Sequence, residues 1–179
     1  ASSNASEGVA MLEGVAGAGY VRADVLLGSY YLGVDRDLAP RDPGKAKDHL
    51  LAAAEAGSTD AFYLLGLMYR SGLEPEAGPA DDLNVEQAVY WYKLAAKQGH
   101  LYAMAGLGEM YIMPLFGIND FEQGFFLAKS AQLAGMPNVD PLIQEALLRI
   151  DLATQERLTR DAEALVESFQ SPAEMPETF

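Results

Sequence analysis

The chain of 179 residues contains no cysteine, two histidines and one tryptophan. Without cysteine there are no disulfides, thiolate metal sites or cysteine nucleophiles. Two histidines, His49 and His100, are too few for a histidine-rich metal site, and no cofactor or metal is expected. Basic residues are scarce as well: 12 Lys and Arg against 26 Asp and Glu leave a formal charge of −14. Neutralising phosphates needs clustered Lys and Arg, so nucleic acid is excluded as a partner class. Apolar runs are short and broken by Gly or charge, and none has the roughly 20 residues that span a bilayer as a helix. Half of the residues are nonetheless hydrophobic, too many for a disordered chain. The chain opens on Ala1 rather than Met, so it is expected to be processed or trimmed, with any signal peptide already gone.

Glycine is plentiful for a chain that otherwise reads as helical, with 17 residues. Each Gly in a helix interior costs about 1 kcal/mol relative to Ala, so the excess calls for a reason. An internal period supplies it. The segments Asn4 to Gly19, Asp42 to Gly57, Asn84 to Gly99 and Asp120 to Gly135 all begin with Asn or Asp and end with Gly at the same separation. Those residues are an N-cap and a C-terminal turn residue around a helix of four turns. Within the third, Ala88, Trp91, Tyr92, Ala95 and Ala96 fall on one stripe. Its first small residue recurs as Gly8, Ala46, Ala88 and Gly124. A second helix follows each glycine. Ala23, Leu27, Gly28 and Tyr31 match Ala61, Leu65, Gly66 and Tyr69, then Ala103, Leu107, Gly108 and Tyr111. The glycine after each Leu is expected to let a neighbouring helix approach closely. The fourth second helix carries Leu142, Ile143, Ala146, Leu147 and Ile150, and a final amphipathic helix runs from Thr154 through Leu158, Ala162, Leu165, Val166 and Phe169. The acidic, Pro- and Gly-bearing stretch from Gly72 to Asp82 reads as a surface loop.

These residues resemble the Sel1-like repeat family, a relative of tetratricopeptide repeats. Trp91-Tyr92-Lys93-Leu94-Ala95-Ala96-Lys97-Gln98-Gly99-His100, followed by Ala103, Leu107, Gly108 and Tyr111, carries the likeness, which covers Asn4 to Ile150. It departs where the family loop reads Gly-x-Gly-Val and this chain has Pro114, Phe116 and Gly117. The resemblance implies an all-α fold, an α-solenoid of four antiparallel helix pairs closed by a capping helix. The expected division is one domain over 4–169, with repeats at 4–41, 42–83, 84–119 and 120–150, a cap at 154–169 and a flexible tail at 170–179. It also implies a non-catalytic adaptor that binds another protein or a peptide segment, and a bacterial setting that is exported or periplasmic rather than cytoplasmic. Oligomeric state leaves no mark on the residues.

The binding reading rests on the side of the third unit opposite its stripe. That side carries Glu86, Tyr90, Lys93, Leu94 and Lys97. The place of Tyr90 is held by Ala10, Asp48 and Phe126 in the other units, and Lys129 and Leu133 flank Phe126. Tyr90 and Phe126 are expected to stand together on the inner curve as anchors for a partner segment. Met113, Leu115 and Phe116, in an unusually apolar loop, form a second candidate contact unless they close the core instead. Other readings compete. An inhibitor or immunity-type protein would use the acidic surface to draw in a basic partner. An envelope carbohydrate binder would stack sugars on Tyr20, Tyr63, Tyr90 and Tyr102. An enzyme is not expected, since His49 occupies the place of Trp91 as a packing residue and His100 follows the turn glycine. Gly14 to Gly19 reads as a helix end rather than a phosphate loop, and Asp35-Arg36-Asp37 and Asp81-Asp82 as solvated acids rather than a Ca²⁺ site. Trp91 is assigned to the core.

Overall fold

The computed structural model describes residues 2–33, 41–73 and 84–170. Among them all regular structure is helical, an architecture of the α-solenoid class. The chain divides into two compact units, Ala1–Gln98 and Gly99–Phe179. The first holds α1 (Ser2–Gly17), α2 (Val21–Leu32), α3 (Pro43–Glu55), α4 (Thr59–Arg70) and α5 (Val85–Lys97). The second holds α6 (Leu101–Ile112), a 3₁₀ turn at Pro114–Phe116, α7 (Phe121–Leu133), α8 (Asp140–Leu147) and α9 (Leu152–Gln170). The loop acids Asp35, Asp37, Asp81 and Asp82 and the tail beyond Gln170 lie outside the described residues.

The punctuation expected from the repeats starts and stops these helices. Asp42, Asn84 and Asp120 accept the backbone N–H of Lys45, Gln87 and Gln123 at 3.1, 3.2 and 3.1 Å. At the other end Gly19, Gly57, Gly99 and Gly135 all take positive φ, between 79° and 93°. That left-handed turn lets Gly57 N–H reach Ala54 O and Ser58 N–H reach Ala53 O, satisfying carbonyls the helix would leave open. Asn4 departs from the pattern. α1 begins at Ser2, so Asn4 lies inside the helix rather than at its N-cap. The final helix begins at Leu152, two residues before the expected Thr154, because Asp151 caps it by accepting Thr154 N–H at 2.9 Å.

Packing follows the repeat. Each second helix lies against the first helix that comes after it: α2 on α3, α4 on α5, α6 on α7. The close approach depends on glycine. A Cβ at Gly28 would meet Leu50 at 2.5 Å, one at Gly66 would meet Tyr92 at 2.4 Å, and one at Gly124 would meet Ile112 at 2.4 Å. Ala46, Leu50 and Ala53 are fully buried, as are Ala88, Tyr92 and Ala95. The matching stripe of α1 is not: Met11 is 73% exposed, Val15 is exposed, and nothing lies near Gly8. Trp91 also departs from expectation. It is half-buried at the edge of its stripe, stacked on Phe62 at 6.0 Å, and Tyr92 is the large side chain buried in the core of α5.

In the second unit α7 carries both remaining helices. α8 is short and contributes Ile143 and Ala146. α9 packs along α7 through Leu158, Ala162 and Val166, spaced four apart on one face.

Two outcomes check this account. Gly66→Ala should destabilise the fold by about 1–3 kcal/mol through overpacking against Tyr92, whereas Gly8→Ala should stabilise it by about 0.5–1 kcal/mol through helix propensity; urea unfolding followed by circular dichroism measures both. The Asp151 carboxyl is held below its ordinary range, first by the backbone N–H of Thr154. Its capping contribution is therefore present above the ordinary carboxylate range and is lost as pH falls through the lowered value. The Thr154 amide should lose exchange protection over that interval, and Asp151→Ala should abolish the dependence.

Candidate partner-binding faces

α5 presents the clearer face. With Asn84 fixing its start and Ala88, Tyr92, Ala95 and Ala96 turned inward, the opposite side is set by helical geometry. Glu86, Lys93 and Lys97 are exposed, Leu94 is half-buried and Tyr90 is 53% exposed. The Tyr90 ring does not stand alone. It meets Trp91 edge-on at 5.0 Å, and Trp91 in turn stacks on Phe62. An aromatic braced in this way loses little rotamer freedom when a partner covers it.

The corresponding face of α7 differs. Phe126 and Lys129 are half-buried, and Leu133 is exposed. Lys129 Nζ donates to Gln132 at 2.7 Å. α9 packs on this helix, and Arg157 donates to Glu122, one turn before Phe126, at 2.8 Å. Tyr90 and Phe126 belong to different compact units, so each face is defined by its own helix. The apolar loop splits between core and surface. Ile112 and Phe116 are buried, while Met113 is exposed and Leu115 is 75% exposed. Gly117, at φ 71°, closes the 3₁₀ turn that points these residues in opposite directions.

The residues weighed for catalysis have structural partners. His49 Nδ1 lies 2.8 Å from Asp24 Oδ1, and its ring stacks on Tyr31 at 6.1 Å. Asp24 was not singled out from the sequence, although the repeat register held the signal: Asp24 and His49 stand where Phe62 and Trp91 stack in the next unit. Tyr31 also donates to Glu13 at 3.0 Å, with Lys45 over its ring at 5.0 Å. Burial, and then the bond to Glu13, push the Tyr31 phenol above its ordinary pKa. His100 caps α6 by accepting Ala103 N–H on Nδ1 at 3.2 Å. Gly14 to Gly19 is the end of α1 and its left-handed turn. Among the described residues no group of three or more His, Asp or Glu side chains is placed to hold a metal ion. No described helix is long and apolar enough to cross a membrane. Of the four tyrosines considered for sugar stacking, Tyr20, Tyr90 and Tyr102 are exposed, whereas Tyr63 stacks on the buried Tyr92.

Comparison with known proteins fits this architecture. Residues 21–58, 59–100 and 101–135 match the Sel1 repeat. Each matched unit is a second helix plus the first helix that packs on it, a phase one helix removed from the Asx-to-Asx division. The chain is 34% identical over 135 residues to the alginate biosynthesis protein AlgK of Azotobacter vinelandii, covering 75% of this chain and 27% of that protein. It therefore spans little more than a quarter of that relative's length. The crystal structure of a protective antigen from uropathogenic Escherichia coli, displaying an SLR fold, superposes with a TM-score of 0.70 at 22% identity, covering 96% of this chain and 37% of the other. The chain belongs to the Sel1 repeat family, helical repeats related to tetratricopeptide repeats that generally serve as non-enzymatic scaffolds for protein–protein interaction.

Proposed function

We propose that the chain is a non-catalytic adaptor that holds a segment of another protein on the first-helix side of its repeats, the side that lines the inner curve in arrays of this kind. The α5 face, with Tyr90 flanked by Glu86, Lys93, Leu94 and Lys97, is its principal contact. The observation that carries the reading is Tyr90, a large aromatic more than half exposed yet braced from behind by Trp91 and ringed by charge. Central aromatics in a polar surround are where binding energy concentrates. The α7 residues Phe126, Lys129 and Leu133 are a lesser contact, because Phe126 is already half-covered. Met113 and Leu115 are a further one, with Phe116 assigned to packing. An exported or periplasmic setting is part of the same proposal, supported by the likeness to a protein named for alginate biosynthesis.

Tyr90→Ser tests it. In a pull-down from native lysate the variant should lose the partner that the unaltered chain retains, at a cost of about 2 kcal/mol or more, roughly 30-fold in affinity. Its unfolding free energy should fall by no more than about 0.5–1.5 kcal/mol, the worth of the lost edge-on contact with Trp91, so the variant stays folded. Capture equal to the parent's would reject the face.

A further inference from the structure

The chain contains a template for what its free face would hold. The α7 positions 125, 126, 129 and 130 correspond in the repeat to 89, 90, 93 and 94 on α5. On α7, Phe125 and Ser130 are buried and Phe126 and Lys129 half-buried; on α5, Val89 and Leu94 are half-buried and Tyr90 and Lys93 exposed. α7 is packed by α8 and α9, and α9 reaches this side of it through Arg157, which donates to Glu122. Two anchors set the course of α9. Its Arg157 reaches Glu122 in the first turn of α7, and its Phe169 ring lies 3.5 Å from the Cβ position of Gly99, just before α6. α6 and α7 are antiparallel, since Ile112 at the end of α6 meets Gly124 near the start of α7. The start of α6 is therefore level with the end of α7, and α9 runs parallel to α7.

Building on the reading of α5 as a partner contact, we infer that the segment it holds is an amphipathic helix of a separate protein, lying parallel to α5 as α9 lies on α7. Glu86 corresponds to Glu122 and takes a basic residue of that helix, as Glu122 takes Arg157. Tyr90 meets apolar or small residues spaced four apart, as in Leu158, Ala162 and Val166. Lys97, which replaces Leu133, takes a carboxylate. Glu86 and Lys97 stand about three turns apart, so the partner helix carries its acid about three turns after its base. Opposite charges at the two ends fix its direction, because the reversed helix would set base against Lys97 and acid against Glu86.

A peptide of residues 151–170 is the probe, titrated into the full-length chain. The chain's own α9 holds α7 at high effective concentration, so binding in trans reports the free face. Trp91 is the single tryptophan of the chain, meets the Tyr90 ring edge-on at 5.0 Å, and is absent from the peptide, so its fluorescence is a local readout. The expected result is saturable binding that Tyr90→Ser weakens tenfold or more. Glu86→Lys should weaken it several-fold, and a peptide bearing Arg157→Glu should recover that loss on the Glu86→Lys chain alone. No saturable response, or a charge swap without recovery, would overturn the helix assignment. If Tyr90→Ser still abolished partner capture from lysate, the α5 face would stand as a contact with a different occupant. A self-association in sedimentation that Tyr90→Ser dissolves would also overturn it, since the occupant would then be a second copy.

Discussion

Glycine on one helix facing a bulky side chain on the next sets the spacing of the repeats. Gly66 leaves room for the Tyr92 ring, and Gly28 for Leu50, at distances where a methyl group would collide. In α7 the roles reverse, with Gly124 yielding to Ile112. Each pair places two helix backbones close enough for Ala46, Ala88 and their neighbours to be fully buried. The propensity cost of glycine, about 1 kcal/mol per residue, is offset by the apolar area that close approach removes from water. It also explains why the tightly packed unit is a second helix with the first helix that follows. That is the same unit the family match delineates at 21–58, 59–100 and 101–135.

Equivalent positions then acquire different environments from their neighbours. The stripe buried in α3 and α5 is partly exposed on α1, at Met11 and Val15. Glu86, on the side of α5 that displays Tyr90, corresponds to Glu122 of α7, which accepts from Arg157 of α9. A single repeat sequence thus yields a core surface, an open surface and an intramolecular docking surface.

Substitution within the repeat also preserves contacts while changing their chemistry. Phe62 and Trp91 stack in one unit, and Asp24 and His49 form a hydrogen bond at the same two places in the unit before. The second pair continues into Tyr31, Glu13 and Lys45, a polar cluster where its counterpart is aromatic. A half-buried acid is tolerated there because it is paired; alone it would carry an uncompensated desolvation penalty.

Helix starts and stops at Asp42, Asn84, Asp120, Gly57, Gly99 and Gly135 were legible in the residues themselves, because capping and left-handed turns are satisfied within one or two helical turns of chain. The stripes were legible too, since periodicity declares which side of a helix is apolar. Asn4 misled because a cap residue acts as one only where the chain enters the helix at that point. Which stripes are covered was a matter for tertiary structure alone. The half-burial of Trp91 and Phe126, the exposure of Met11, the inward turn of Phe116 and the pairing of Asp24 with His49 all depend on whether another helix arrives at that face. Burial belongs to two surfaces, and a sequence pattern describes only one of them.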